Sequence, residues 1–223
     1  MIYTTPIYNA SQLTDAIQQL GFLPLLDCGI KNFSANALVD EECRYVALPD
    51  GGWDWPMWKW KGAIINDGGC VYGKFFAAKA GFISADWWPH FCSYRRSKSA
   101  PIEPGSIEEG ILTTLKRNGS MITRDLRAAC GFIGPKMRSL FDRYITHLEM
   151  DCRIVTENFI YPTDKHGKEY GWGRALLTTP EALYGAHFCT SPLSPDEAFR
   201  KMLSHLCLAM PDIPTQQIEK LIR

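Results

Sequence analysis

The sequence predicts a helix-rich α+β protein in which a winged-helix domain packs against an N-terminal α+β region. Two observations lead to this fold class. Residues 106–148 carry three helix-type hydrophobic patterns in succession, and two strand-type segments follow between residues 153 and 177. Residues 1–100 mix a capped helical pattern with shorter strand-type segments. With 223 residues, 46% of them hydrophobic and 22% charged, the chain can bury a substantial core.

The N-terminal region begins with a predicted amphipathic helix. Apolar residues recur at helical spacing between Asn9, a favourable N-cap residue, and Gly21, which ends the pattern. A second, short helix is predicted from its cap Ser34 to Val39. Residues 44–48 are predicted to form a strand, because they are mostly apolar and precede a turn-forming cluster.

The segment Trp58-Lys59-Trp60-Lys61 alternates aromatic and basic residues. A period of two is typical of a strand, which would place both indoles on one face and both ammonium groups on the other. The pattern therefore predicts buried tryptophans with lysines directed to solvent.

Residues 99–105 are predicted to be a linker, since proline and glycine are frequent there. Ser106 and Glu109 then match a capping box. The elements predicted beyond the linker are three helices (106–119, 122–131 and 134–148) and two strands (153–161 and 170–177) joined by a polar tip at 164–168. In this order the second and third helices form a helix-turn-helix and the two strands form its wing.

These patterns divide the chain into three predicted regions. They are a tryptophan-rich α+β region (1–100), the winged-helix domain (104–185) and a C-terminal helical tail (186–223). Pro211 and Pro214 are predicted to interrupt the tail.

Aromatic and basic residues are concentrated in one part of the chain. Six of the seven tryptophans lie between residues 53 and 98, and residues 59–98 contain seven Lys or Arg against two acids. Flat aromatic faces beside fixed cations are suited to stacked bases and phosphates. The alternative is that the tryptophans fill the core. The whole chain has a formal net charge of zero, so only a local patch could attract nucleic acid.

Several classes of protein are disfavoured by the sequence. The eight cysteines include no Cys-x-x-Cys pair, and His90 and Cys92 have no second pair at metal-ligand spacing, so neither a metal nor another cofactor is predicted. The chain shows no phosphate-binding loop motif, serine-hydrolase elbow or zinc-protease motif. Because a signal peptide and a membrane span are also lacking, the predicted location is the cytoplasm.

The third predicted helix and the wing supply candidate DNA contacts. On the helix they are Lys136, Arg138 and Arg143, and on the wing Lys165 and Lys168. Arg124 and Arg127 of the second helix are further candidates for phosphate contact. Residues 101–185 nevertheless carry eleven basic and eleven acidic residues. A winged helix of this neutral kind can instead bind a protein partner.

Two stretches of the sequence resemble the AlkZ-related (YcaQ-like) winged-helix DNA glycosylases, which act on interstrand crosslinks and bulky alkylated bases. One runs from Trp58-Lys-Trp-Lys-Gly62 through Gly69-Cys-Val-Tyr-Gly-Lys-Phe-Phe76 to Tyr94-Arg-Arg96, and the other is the winged-helix region up to Trp172-Gly-Arg174. The resemblance covers roughly residues 50–185. It implies packed winged helices that present a concave, basic DNA-binding face.

The sequence departs from this family at its catalytic signature. That signature is Gln-x-Gln, which positions the attacking water, whereas glutamine occurs here only at positions 12, 18, 19, 216 and 217. No catalytic residue can be carried over. The chain is also shorter than full-length members. Either the activity is lost, or other residues carry it out.

Three hypotheses follow. In the first, the chain binds DNA, with Lys74, Lys79, Arg95 and Arg96 holding phosphates while Tyr72, Trp55 or Trp87 stacks on an exposed or damaged base. In the second, it is an active glycosylase with a substituted site that includes Asp67 or Asp86. In the third, the winged helix is a non-catalytic module that binds a protein partner.

Overall fold

The computed structural model describes residues 5–49, 51–167 and 169–223 and gives a helix-rich α+β fold. Eleven α-helices lie in these residues: α1 Ala10–Leu20, α2 Ala35–Leu38, α3 Glu41–Arg44, α4 Pro56–Asn66, α5 Trp88–Lys98, α6 Ile107–Asn118, α7 Thr123–Ala129, α8 Pro135–Met150, α9 Pro180–Tyr184, α10 Pro195–Ala209 and α11 Thr215–Ile222. A 3-10 helix follows α9 at Ala186–Cys189. No helix of the described part combines the length and apolar character that a bilayer span requires.

Six of the strands form one antiparallel sheet. The described residues contain eight strands in all: β1 Phe22–Pro24, β2 Val46–Ala47, β3 Trp53–Asp54, β4 Cys70–Phe76, β5 Lys79–Ser84, β6 Met121–Ile122, β7 Val155–Ile160 and β8 Arg174–Thr178. The order in the large sheet is β1-β5-β4-β7-β8-β6, while β2 and β3 pair separately. Tyr72 of β4 is in register with Thr156 of β7, and this pairing joins the N-terminal strands to the strands that follow α8.

Local signals set the ends of the predicted helices. The side chain of Asn9 accepts from the backbone N–H of Gln12, and Ser34 caps α2 in the same way. Ser106 caps α6, whereas the Glu109 carboxylate accepts from Gly105 rather than completing the capping box. Such caps satisfy N–H groups that have no partner within the helix. The helical predictions for these segments are confirmed.

The predicted strand at Trp58–Lys61 is wrong, because this segment lies within α4. Pro56 begins the helix, where its missing N–H has no cost. The helical spacing turns Lys61 inward with Met57 and Ile65, while Lys59 faces solvent. Four alternating residues were too few to distinguish a strand from one turn of helix.

The predicted strand at residues 44–48 is only partly correct. Arg44 ends the short helix α3, and only Val46 and Ala47 form the strand β2.

Two hydrophobic clusters lie on either side of the junction between β4 and β7. The larger one joins α1, α4, α5, α10 and α11 to β1, β4 and β5, and Trp88, Phe75 and Phe91 are fully buried in it. The smaller one joins α6, α7 and α8 around Leu126 and Phe141. A cavity lies where the two clusters meet.

Candidate functional site

A cavity of about 210 Å³ lies between α4, α8 and the sheet, where the two hydrophobic clusters meet. Its wall is largely apolar or aromatic and includes a few polar groups: Trp58, Lys61, Tyr72, Lys74, Ala80, Thr123, Asp142, Ile145, Glu149, Thr156, Phe159, Ala175 and Leu177. An apolar enclosure with a few convergent polar groups is the usual form of a small-ligand site.

Lys61 is the most unusual residue of this cavity. Its side chain is 0% exposed, and within the described residues its Nζ atom has no hydrogen-bond partner. Nζ lies 2.9 Å from the ring centroid of Trp58 and 3.6 Å from that of Phe159. Burial lowers the pKa of Lys61 to about 6, although the two aromatic faces partly oppose this by favouring the charged form. The amine is therefore substantially uncharged at neutral pH.

Glu149 supplies a carboxyl group to the same cavity. Its side chain is 4% exposed, and Lys74 Nζ lies 3.4 Å from its Oε2. Burial raises the pKa of Glu149, and the charge of Lys74 opposes the shift only in part. Lys74 is held by a second bond, in which Nζ donates to Thr146 Oγ1 over 3.1 Å. The wall of one cavity thus carries a carboxyl group with a raised pKa and an amine with a lowered pKa.

We expect Lys74→Met to lower the free energy of unfolding by about 1–3 kcal/mol, because the buried carboxyl group of Glu149 then loses its partner. Urea unfolding at pH 7 measures this loss. Adding Glu149→Gln should recover part of it, since the double variant leaves no unpaired carboxylate. Lys79→Met is the matched control, because Lys79 is exposed and donates to the Asp27 carbonyl. A loss of equal size in the control would contradict the importance of the buried pair.

An open groove of about 450 Å³ adjoins the cavity between α7, α8 and β8. It is lined by Thr123, Arg124, Arg127, Arg138, Asp142, Arg174 and Ala175. Thr123, Asp142 and Ala175 line both spaces, so the groove and the cavity are direct neighbours. Four guanidinium groups face one carboxylate here, although the surrounding domain is neutral. We name this space the arginine groove.

The arginines of the groove remain largely open to solvent. Arg124 pairs with Asp125 over 2.9 Å and Arg138 with Asp142 over 3.8 Å, and their side chains are 64% and 74% exposed. Exposed ion pairs of this kind contribute little free energy and are readily exchanged. Planar guanidinium groups bind oxyanions through two parallel hydrogen bonds. The groove can therefore hold oxyanions such as phosphates.

The other cations predicted on the third helix and the wing are separate from the groove lining. Lys136 and Arg143 are exposed on α8, and Lys165 is exposed in the turn between β7 and β8. Lys168 lies outside the described residues. Of the predicted α8 contacts, Arg138 is the one that lines the arginine groove.

All four predicted phosphate ligands near the tryptophans have partners within the protein. Arg95 is 7% exposed and donates to the backbone carbonyls of Phe75 and Ile222, a position that does not fit a phosphate contact. Arg96 pairs with Glu181 over 2.5 Å. The amine of Lys79 donates to a backbone carbonyl, as noted above. The fourth, Lys74, is the one that the structure places in the cavity.

The three predicted stacking residues occupy different places. Tyr72 lies in the cavity wall, and burial raises its pKa. Trp55 stacks on Trp58 with ring centroids 5.4 Å apart, and Trp58 in turn meets the edge of Trp172, which is 64% exposed. Trp87 instead packs on His205, away from the residues that line the cavity.

The two predicted carboxylates, Asp67 and Asp86, are exposed, and neither is among the residues lining the cavity. The described residues contain no cluster of His, Cys, Asp and Glu that could hold a metal ion. The carboxyl groups that do line the cavity belong to Asp142 and Glu149, and Glu149 is the buried one.

Lys61, Glu149 and Arg174 line the cavity or the groove but were not predicted as site residues from the sequence. For Lys61 a signal was present: Met57, Lys61, Ile64 and Ile65 follow helical spacing and place the lysine on an apolar face. Glu149 lies on α8 in the wall of the cavity, and Arg174 lies on β8 in the lining of the arginine groove. Only the tertiary fold brings these two elements together.

Comparisons with known proteins agree with this fold. The family model described as AlkZ related matches residues 7–223. A solved structure, the DNA glycosylase AlkZ of Streptomyces sahachiroi, superposes with a TM-score of 0.51 at 10% identity, covering 90% of this chain and 51% of that protein. The chain thus spans about half the length of that glycosylase, and likeness at this identity concerns the fold. The search of curated proteins found no match. Because the family model covers nearly the whole sequence, the chain belongs to the AlkZ-related family.

Proposed function

We propose that the protein binds DNA through a winged helix composed of α6, α7, α8, β7 and β8. The order of these elements and the tight connection between α7 and α8 support this assignment. The β7–β8 hairpin corresponds to the wing, with Lys165 at its turn. In this arrangement α8 is the helix nearest the duplex, and α7 crosses the backbone.

The arginine groove is the observation that carries this proposal. Arg124 and Arg127 of α7, Arg138 of α8 and Arg174 of β8 come from three elements and converge on one space. Phosphate contacts supply most of the sequence-independent affinity of a DNA-binding protein. A net charge of zero over the whole chain does not oppose this, because the attraction depends on the local field.

The cavity beside the groove fits an unstacked nucleotide unit at a damaged or distorted position. Trp58, Tyr72 and Phe159 give it aromatic walls, and Trp172 extends the aromatic surface towards solvent. Proteins that act on bases draw the target out of the stack and hold it between such side chains. The fold of a DNA glycosylase in a family relative is consistent with this use.

Glycosylase activity is the second candidate function, and Glu149 is the observation that favours it. A carboxyl group in a water-poor cavity can direct a water molecule or stabilise positive charge on a sugar. In this hypothesis Glu149, and not Asp67 or Asp86, is the catalytic carboxyl group. Incubation with alkylated or crosslinked DNA, followed by an assay for abasic sites, tests it. Absence of such sites under conditions of tight binding rejects the activity.

Fluorescence anisotropy with labelled duplex, single-stranded and abasic-site DNA, each at 50 and 200 mM salt, tests the binding proposal. We expect the abasic duplex to bind most tightly, because its sugar can leave the stack at low cost. We also expect every affinity to fall as salt rises, since phosphate contacts release counterions. Undetectable binding at 50 mM salt would reject the proposal. Pull-down of a protein partner that persists at high salt would then favour the interaction module.

A further inference from the structure

Lys61 has the features of a reactive amine rather than of a structural cation. A buried lysine is normally paired with a carboxylate or a backbone carbonyl, because an isolated buried charge is costly. Here the Nζ atom has neither among the described residues and contacts the faces of Trp58 and Phe159. Of the two carboxyl groups in the same wall, Glu149 is paired with Lys74 and Asp142 with Arg138. Lys61 is therefore left as a solvent-shielded amine in the wall of a cavity.

The surroundings favour the neutral, nucleophilic form of this amine. Burial lowers the pKa of Lys61 to about 6, so the lone pair on nitrogen is available at neutral pH. Lysines desolvated in apolar pockets form Schiff bases with carbonyl compounds for this reason. Tyr72 is the third aromatic group near Nζ, with its ring centroid at 5.8 Å, and its raised pKa keeps it uncharged. No neighbouring group in the wall neutralises a positive charge on Lys61.

The position of the cavity indicates which carbonyl compound it would receive. It lies next to the arginine groove, with which it shares Thr123, Asp142 and Ala175. A ligand there would be flanked by phosphates, as a sugar within a DNA strand is. The volume of about 210 Å³ is below the range of roughly 300–1,000 Å³ usual for drug-sized ligands, and so suits a single small ring. An abasic deoxyribose meets these conditions and carries an aldehyde in its ring-opened form.

We propose that Lys61 forms a Schiff base with the C1′ aldehyde of an abasic site in DNA, so that the protein captures the lesion covalently. The inference rests on the proposed binding of DNA through the arginine groove. It adds a covalent residue that the family's Gln-x-Gln signature does not supply.

The step balances without a metal or a redox partner. The nitrogen of Lys61 adds to C1′ to give a carbinolamine, and the N–C1′ bond forms while the carbonyl π-bond breaks. The carboxyl group of Glu149 donates a proton to the departing hydroxyl, which leaves as water. The nitrogen then returns a proton to Glu149, giving the neutral imine. The raised pKa of Glu149 suits it to this exchange.

Reductive trapping tests the inference. The full chain is incubated with a duplex that carries one abasic site, with sodium cyanoborohydride to convert an imine into a stable secondary amine. We expect a covalent adduct on a denaturing gel, and peptide mass mapping should place it on Lys61. Lys61→Met should abolish the adduct. Lys59→Met, which alters an exposed lysine of the same helix, should keep it.

Anisotropy measured on the same samples separates the two proposals. Tight binding without an adduct, or an adduct that maps only to other lysines, overturns the role of Lys61 and leaves DNA binding intact. Loss of both binding and adduct in the wild-type protein overturns the proposed function and the Schiff base together. Mapping on the wild-type protein keeps the test decisive even if a variant folds poorly.

Discussion

Replacing Lys61 by methionine is expected to stabilise the protein at pH 7, by roughly 1–4 kcal/mol. Methionine has a similar length and needs no partner for a charge, so it suits the space between Trp58 and Phe159. In the wild-type protein, folding at this pH removes a proton from an amine that would be charged in the unfolded chain. The loss of contacts between the neutral amine and the two rings offsets only part of this gain.

The stabilisation should depend on pH in a defined direction. The folded-state pKa of Lys61 is about 6, below its usual value of 10.5. Between these two values the unfolded chain binds one proton more than the folded chain, so the stability of the wild-type protein rises with pH by about 1.4 kcal/mol per unit relative to Lys61→Met. The difference between the two proteins is therefore largest at and below pH 6. It falls by about 1.4 kcal/mol per unit as the pH rises, so a stabilisation of roughly 1–4 kcal/mol at pH 7 reaches zero between about pH 8 and 10 and then changes sign.

Urea unfolding of both proteins at pH 6, 7, 8 and 9 measures this difference. Each pair shares every other titrating group, including Glu149, so the comparison isolates the amine of Lys61. Lys59→Met is the control: its side chain is 66% exposed, and we expect a change within about 0.5 kcal/mol at every pH. A difference that is constant across this range, or a Lys61→Met variant that is destabilised at pH 6 and 7, would contradict an uncharged Lys61 in the folded protein.

The second large effect concerns the arginine groove. The double variant Arg138→Ala, Arg174→Ala removes one guanidinium from α8 and one from β8. If four arginines each neutralise a phosphate, the slope of log affinity against log salt is about −3.6 for the wild-type protein, and the affinity falls roughly 100-fold between 50 and 200 mM salt. Removing two contacts should reduce the slope by about 2. Affinity at 50 mM salt should fall by at least about 10-fold.

Arg200→Ala, Arg223→Ala is the matched control for this variant. It makes the same change in net charge on α10 and at the end of α11, outside the residues that line the groove. We expect it to keep the wild-type salt slope. Equal slopes for both double variants would mean that the DNA affinity depends on net charge alone, and would contradict a role for the arginine groove.

The elements around the groove could be predicted from sequence because their signals are local. Ser106, Gly119 and Gly134 mark helix ends through caps and turns, and the apolar stripe of α8 repeats at helical spacing. The strand prediction for Trp58–Lys61 was wrong because alternation over only four residues does not distinguish a strand from a turn of helix. Pro56, a good first residue of a helix, was the competing signal that decided the outcome.

The site was harder to predict because it is assembled from distant parts of the chain. The concentration of lysine and arginine at residues 59–98 suggested one basic surface, yet Lys61 and Arg95 point inward. Sequence shows that Arg95 is a cation, but not that backbone carbonyls from three elements surround it. Likewise, Arg174 joins Arg138 only because β8 pairs next to β7, and no local pattern specifies that contact.

Photocrosslinking locates the DNA on the protein and tests the central claim most directly. A duplex with 5-iodouracil beside an abasic site is irradiated in complex with the full chain, and the crosslinked peptides are identified by mass spectrometry. If DNA binds along the arginine groove, we expect crosslinks within residues 123–150 and 170–178. These ranges include α7, α8, β8 and the exposed Trp172. Crosslinks confined to α1, α10 or α11 would contradict binding along the groove.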